Sequence, residues 1–370
     1  MRHPPRSHRL DYMRLLRFLA AAAILIAALA AAGPASATPR QPLPAPTGPF
    51  AVGVQEFHLI DGRPDIWVPE RNRELMVSAW YPALAPVGKR DPYATPQESA
   101  LILASQKVDG LVPEALSEVA THAYVDAPQL GIPLPTVVLS PGFGMPRFSL
   151  TTLAEDLASR GYLVLGIDHT YEAAAITFPD GRITECVACQ GRPDAEKFSV
   201  NRAQDASFVL DQLIPRLPVD RTRIAIGGHS AGGFAAPYAL AEDARIRAGF
   251  NLDGGFPALP YGRAVGLPFL MMGAPHHAPT GEYGPKWAGV YDAFNGWKRW
   301  LIVDGSTHGS FTDYGPIADY LGIELPGNTL NGTRGIELTR KYVGAFLDHH
   351  LRGVPAPILD TAGDPEVRIV

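Results

Sequence analysis

Cysteine is nearly absent: 370 residues contain two, at positions 186 and 189. One pair of thiols cannot build a cysteine-rich zinc module or a fold stapled by several disulfides. Charge is also sparse, at 19% of residues, and the net charge is −5. A nucleic-acid binder needs a basic footprint, so that class is excluded. After residue 32 no stretch is long and apolar enough to span a bilayer. No internal repeat and no second domain can be read, and no His, Cys or carboxylate set has metal-ligand spacing. What remains is a globular composition, 46% hydrophobic, with 37 Gly and 36 Pro marking many turns.

The N-terminus stands apart. Arg2, Arg6, Arg9, Arg14 and Arg17 precede an unbroken apolar run from Phe18 to Ala32, and Ala35 and Ala37 follow in an A-x-A arrangement. This is the order of a signal peptide over residues 1–37, with cleavage expected near Ala37 and the product secreted. The alternative is a membrane anchor, but the run is shorter than the ~20 residues of a span and ends in helix breakers. No cysteine stands near the cut to carry a lipid. Residues 1–37 hold five Arg and one Asp, so their loss takes the net charge from −5 to −9. In an exported chain Cys186 and Cys189 are expected to form a local disulfide. A redox motif shares their C-V-A-C spacing, but Gly191 and Pro193 break the chain and no helix N-terminus is expected there.

Residues 38–49 are Pro-rich and read as a linker to a catalytic domain over 50–370. Strand-like runs fall at Phe50–Ile60, Glu74–Tyr81, Thr136–Ser140, Leu163–Ile167, Arg223–Gly227, Ala248–Leu252, Pro268–Met272 and Arg299–Val303. Helical patterns lie at Leu150–Arg160, Ala203–Leu213, Ala231–Ala241, Lys286–Trp297 and Ile336–Leu351. Residues 97–120 have helical spacing that Gly110 and Pro113 split in two, and they read as lid or cover. Near-continuous apolar strands alternating with helices predict an α/β fold, with a mostly parallel sheet covered on both faces.

One stretch carries chemistry. Gly228-His229-Ser230-Ala231-Gly232 fits G-x-S-x-G between an apolar strand and an alanine-rich helix. That is a nucleophile elbow, with glycines where a Cβ would crowd the turn. The plain alternative is a glycine-rich turn with an incidental serine. A serine hydroxyl needs a base, and the base needs an acid to orient it. In the α/β-hydrolase fold the order is Ser, acid, His. His308, in the loop after the last strand, is the expected base. His276 and His277 also lie at a strand end, whereas His349 and His350 read as a solvated helix face. Asp253, before Gly254 and Gly255, is the expected acid. Asp304 competes but begins a D-G turn, and no acid follows Pro268–Met272 until Glu282.

An oxyanion hole needs two backbone N–H donors. Ala231 follows the nucleophile and should supply one. The other should come from Pro141-Gly142-Phe143-Gly144-Met145. Pro141 has none to give, leaving Gly142 or Phe143, with Phe143 favoured. Phe143, Met145 and His229 are the expected substrate-pocket residues. No cofactor and no metal are expected.

The stretches "GPFAVGVQEFHLIDGRPDIW", "LMVSAWYPA", "VVLSPGFG", "LAEDLASRGYLVLGIDH", "GGHSAGG", "NLDGG" and "DGSTHGSFTDY" resemble the platelet-activating-factor acetylhydrolase family of α/β-hydrolases, in the family's order. The resemblance implies an esterase of short or oxidised acyl groups that works without calcium. It implies an acid just after the strand that follows the nucleophile helix, which favours Asp253. The family's S-H-G is Ser140-Pro141-Gly142 here. The expected function is therefore a secreted serine carboxylic-ester hydrolase acting through an acyl-enzyme, touching lipid surfaces at most transiently. A secreted polyester hydrolase or triacylglycerol lipase would use the same triad. A non-catalytic hydrolase-fold binding protein is disfavoured, since Ser, Asp and His all stand in order.

Overall fold

A computed structural model describes residues 42–370, except 109, 192, 257–261 and 263–264; the leader and the cut at Ala37 lie outside the described residues. The strands are β1 (Ala51–Pro64), β2 (Asn72–Ala83), β3 (Arg90–Pro92), β4 (Ala120–Val125), β5 (Leu134–Ser140), β6 (Leu163–His169), β7 (Ile176–Thr177), β8 (Ile183–Thr184), β9 (Val219–His229), β10 (Ile246–Leu252), β11 (Phe269–Gly273), β12 (Lys298–Val303) and β13 (Val367–Ile369). The α-helices are α1 (Pro96–Ser105), α2 (Thr151–Ser159), α3 (Ala195–Leu213), α4 (Ala231–Glu242), α5 (Gly284–Ala293), α6 (Tyr314–Leu321) and α7 (Gly332–Arg352).

Among the described residues, eleven strands form one sheet in the order β13-β12-β11-β10-β9-β5-β6-β2-β1-β4-β3. The run from β12 to β6 is parallel. β2 pairs antiparallel with both β6 and β1, and β13 closes the far edge antiparallel to β12. Period-two burial explains the layers. Leu134, Val138, Ile224, Ile226, Met271 and Ile302 face one core, with α3, α4 and α5 packed on it. Val137, Leu139, Ala225, Leu270, Met272 and Leu301 face the other, beneath α2 and α7. Both faces are thus dry, as the apolar strand runs imply. The chain runs from β5 to β6 on one side, then returns to place β9 on the other side of β5. That reversal opens a crevice at the carboxyl ends of β5 and β9, where open α/β sheets bind ligands.

Several boundaries differ from the sequence reading. α3 begins at Ala195, not Ala203, because Asp194 caps it by accepting from the Lys197 N–H at 2.8 Å. A helix N-terminus does therefore follow the cysteine pair, contrary to expectation. Gly191 and Pro193 precede that start rather than prevent it. Cys186 and Cys189 are disulfide-bonded, with Cα atoms 5.3 Å apart. From Pro42 the Pro-rich stretch lies on the domain: Leu43 is buried and its N–H donates to the Ala120 carbonyl, while Thr47 donates twice to Asp156. In residues 97–120, α1 is followed, among the described residues, by a 3-10 turn, Ala115–Glu118. Ile102, Leu103 and Leu116 bury there with Phe148, Ala175 and Ile317 in a satellite core, so this segment is packed cover.

Candidate active site

β9 ends at His229, and Ser230 turns the chain straight into α4 with φ 51° and ψ −115°. A non-glycine residue held there costs about 1–3 kcal/mol, so the surroundings must over-determine it. They do. A Cβ on Gly228 or Gly232 would lie 1.8 or 1.9 Å from the Ser140 carbonyl oxygen, and one on Gly233 would lie 2.0 Å from Asn251 Oδ1. Glycine is obligatory at these close approaches. The Ser230 N–H donates to the Leu252 carbonyl at 2.8 Å, tying the elbow to β10.

The next residue after Leu252 is Asp253, also at positive φ, 57°. Asn251 shapes this turn by bonding both the N–H and the carbonyl of Gly254 at 2.8 Å. Asp253 is 1% exposed. Its Oδ1 accepts from the Ala274 N–H at 2.6 Å, and its Oδ2 accepts from His308 Nδ1 at 2.6 Å. On the other side of that ring, His308 Nε2 lies 3.0 Å from Ser230 Oγ. Burial works against the Asp253 charge, but hydrogen bonds from His276 and His308 and the electrostatic influence of His308 and His277 outweigh it and hold the carboxyl well below the usual carboxylate range. A charged, buried carboxylate holding one imidazole nitrogen leaves the other free to take a proton from Oγ.

Asp304 is elsewhere. It accepts two 2.7 Å hydrogen bonds from Arg368 of β13 and does not reach the imidazole. His349 and His350 sit on α7 beside Trp297, with His350 half-buried rather than solvated. His276 and His277 are not idle bystanders at the strand end. Their Nε2 atoms lie 3.4 and 3.6 Å from the Asp253 carboxylate.

In the loop after β5, where one oxyanion donor is expected, the Gly144 N–H donates to the Glu172 carbonyl and the Met145 N–H to the Gly142 carbonyl. Neither the Phe143 nor the Ala231 N–H has an acceptor among the described residues. Both therefore have a donor to offer a developing charge. The Phe143 ring is partly exposed and meets Phe198 edge-on at 5.7 Å, which in turn meets Phe234 at 6.0 Å. Met145 is buried against Gly142. His229 does not line an open pocket as expected. It is 1% exposed, and its Nε2 donates to the His308 carbonyl at 2.8 Å. The elbow must bury the residue before its serine, so His229 supports the His308 loop from beneath. Burial, then the neighbouring His308, push its pKa down to about 3.

Sequence reasoning missed what lies under the oxyanion loop. Arg202 of α3 donates to the Pro141 carbonyl at 2.5 Å and the Ser140 hydroxyl at 3.0 Å. Its Nε donates to Glu172 at 2.8 Å. Ser140 Oγ also meets His169 Nε2 at 2.9 Å, and His169 Nδ1 meets Asp205 at 2.7 Å. Arg73 completes the buried network by bonding Asp65, Glu172 and Asp205.

The family described as platelet-activating factor acetylhydrolase, isoform II, matches residues 35–185. A probable 1-alkyl-2-acetylglycerophosphocholine esterase of Arthroderma benhamiae is 30% identical, over 89% of this chain and 93% of the relative. The platelet-activating factor acetylhydrolase of Canis lupus familiaris is 27% identical, over 63% of this chain and 61% of the relative. Among solved structures, a ferulic acid esterase from Streptomyces cinnamoneus is 40% identical, with a TM-score of 0.82 over 90% of this chain and 99% of that one. With the sheet, the elbow and these similarities together, the chain belongs to the platelet-activating factor acetylhydrolase, isoform II, family and is a carboxylic ester hydrolase of the α/β-hydrolase fold.

Proposed function

We propose that the protein is an exported serine esterase that cleaves small, short-acyl esters through an acyl-enzyme on Ser230. The observation that carries this reading is the unbroken relay in which His308 lies 3.0 Å from Ser230 Oγ and 2.6 Å from the buried Asp253 carboxylate. Ser230 Oγ attacks the ester carbonyl while His308 Nε2 takes its proton. The Phe143 and Ala231 N–H groups hold the resulting oxyanion. His308 returns the proton to the leaving alcohol as the carbon–oxygen bond breaks. A water molecule, deprotonated by the same nitrogen, then releases the acid. Oxyanion donors of this kind each contribute about 10²–10³ in kcat.

The acyl group is expected to be short. Phe143, backed by Phe198, crowds the space beside the oxyanion donors. A flat aromatic acyl group is the second reading, favoured by the linked rings of Phe143, Phe198 and Phe234 and by the ferulic acid esterase likeness. The test is a panel of p-nitrophenyl esters from acetyl to palmitoyl, a short-acyl phospholipid, methyl ferulate, tributyrin and a polyester film, with and without EDTA. Short esters should give the highest kcat/KM, unaffected by the chelator. Dominance of methyl ferulate would select the aromatic reading. A steady rise towards palmitoyl, or preference for tributyrin or the film, would replace both with a lipase or polyester hydrolase.

Export rests on the basic and apolar order of residues 1–37 and on the Cys186–Cys189 disulfide, which belongs to an oxidising compartment. Among the described residues, no helix is long and apolar enough to cross a membrane. The N-terminal mass of the protein recovered from culture medium tests the cut near Ala37.

A further inference from the structure

The geometry points to a transition-metal site built on Asp253, His276 and His277, which switches the esterase off when a divalent ion such as Zn²⁺ occupies it. One ligand atom from each of the three residues falls within 4.8 Å of the others. His276 Nε2 stands 3.4 Å from Asp253 Oδ2, and His277 Nε2 stands 3.6 Å from Oδ1. Ligands about 2.0–2.2 Å from a tetrahedral zinc ion stand about 3.4 Å from each other. Each imidazole stands at about that distance from one oxygen of the Asp253 carboxylate, and the three-atom set, within 4.8 Å, needs to contract only modestly to close on an ion; two imidazoles with one carboxylate is a donor set that zinc accepts.

The surroundings make the convergence deliberate in shape. His276 and His277 are consecutive in the short turn Pro275–His277, yet both aim Nε2 at the same carboxylate. A Cβ on Gly273 would stand 2.7 Å from Trp287, 3.1 Å from the His277 ring and 3.2 Å from Asp253 Oδ1, so glycine there leaves room for Trp287 and for the histidine stacked on it beside the carboxylate. His277 is 2% exposed and stacks on Trp287 with ring centres 4.2 Å apart, which fixes its plane. Among the described residues its Nδ1 is buried with no hydrogen-bond partner. His276 is one-third exposed and opens the cluster to a cleft of about 450 Å³ that Glu282 also lines.

Without an ion, the His277 Nε2–H points at the Asp253 carbonyl, 3.3 Å away. An ion replaces that proton, and the displaced tautomer puts its hydrogen on the unpartnered Nδ1. Zinc-bound histidines normally have an acceptor there, and losing one costs about 10–100-fold in affinity. The site is therefore one that fills and empties with metal concentration, rather than a permanent structural centre. Its effect on turnover rests on the reading of Asp253 as the acid of the relay. An ion bonded to Oδ2 competes for the oxygen that holds His308 Nδ1. The imidazole then loses the partner that fixes its tautomer.

The test uses the mature chain, with Zn²⁺ and Co²⁺ as probes. Titration of Ser230→Ala protein with Co²⁺ should produce the intense visible absorption of four-coordinate cobalt, absent when His276→Ala is added. In the active enzyme, Zn²⁺ should lower turnover at least about tenfold, and EDTA should restore it. In His276→Ala, each rate being referred to that variant's own metal-free rate, the inhibitory Zn²⁺ concentration should rise at least about tenfold. No cobalt spectrum, or an inhibition midpoint unmoved by His276→Ala, overturns the site. His276→Gln serves as a second variant if the alanine form is unstable. Failure of the underlying reading looks different: a folded Asp253→Asn enzyme would keep near-normal turnover, whatever cobalt does.

Discussion

Arg202 Nη1 and the carbonyl oxygen of Pro141 are 2.5 Å apart, both buried, at the point where the oxyanion loop leaves β5. The bond fixes the peptide plane entering Gly142 and so aims the N–H groups that follow. Arg202→Lys keeps the charge beside Glu172, but one ammonium on a flexible stem cannot reproduce a planar fork bonding Glu172, Ser140 and Pro141 together. The expected result is a fall in kcat of about tenfold with KM little changed, since a misaimed donor is felt mainly in the transition state. Rates should be expressed per active site titrated with an organophosphate. A purely structural role would reduce the number of titratable sites and leave the rate of each unchanged.

Ser230→Ala should abolish ester hydrolysis, by about 10⁴–10⁶ in kcat, while the thermal transition stays close to that of the parent. Mass spectrometry after organophosphate treatment should find the label on Ser230 in the parent and none in the variant. Substantial turnover by folded Ser230→Ala protein would remove the serine mechanism.

The two candidate acids separate by their partners. Asp253→Asn should lower kcat by about 10³–10⁴, because the amide no longer stabilises the imidazolium or its tautomer. Asp304→Asn loses part of an exposed pair with Arg368, which is worth ~1 kcal/mol or less. Its kcat should stay within a few-fold of the parent. Measuring both on one soluble ester gives the ranking, and a reversed order would move the acid to Asp304.

His229 sets part of the acid sensitivity of folding. Its folded pKa is lowered to about 3 from the ordinary 6.5, so the unfolded chain binds the extra proton. Stability from this group is fully present above pH 6.5 and is lost progressively as pH falls towards 3. The slope approaches about 1.4 kcal/mol per pH unit for one proton. Urea unfolding of the parent and His229→Asn between pH 6.5 and 4.5 should show a flatter pH dependence in the variant, whatever its stability at neutral pH. Parallel curves for the two proteins would show that His229 is not the group responsible.

Legibility followed the physics of close contact. Gly228 and Gly232 were readable because the Ser140 carbonyl tolerates no Cβ there, and such a demand leaves a mark on composition. The parallel strands were readable because burial on both faces forces apolar runs. β3 and β13, three residues each, are held by backbone pairing at the sheet edges, which leaves almost no pattern. Arg202, His169 and Asp205 were invisible for another reason. Arg202 and Asp205 share a face of α3 and His169 ends β6, but nothing in either pattern points to Ser140, where only the folded chain brings them together. His276 and His277 were placed near the active edge, but spacing alone could not reveal that both would turn towards Asp253.

The contact of the two elbow glycines with the Ser140 carbonyl has an evolutionary side. It makes main chain, rather than any replaceable side chain, the spacer between Ser230 and the loop that carries Phe143. The rings of Phe143, Phe198 and Phe234 take no part in that contact. A family built this way can change its customers while keeping its reaction, and relatives named for an acetylated glycerophosphocholine and for ferulic acid are what such freedom would leave behind.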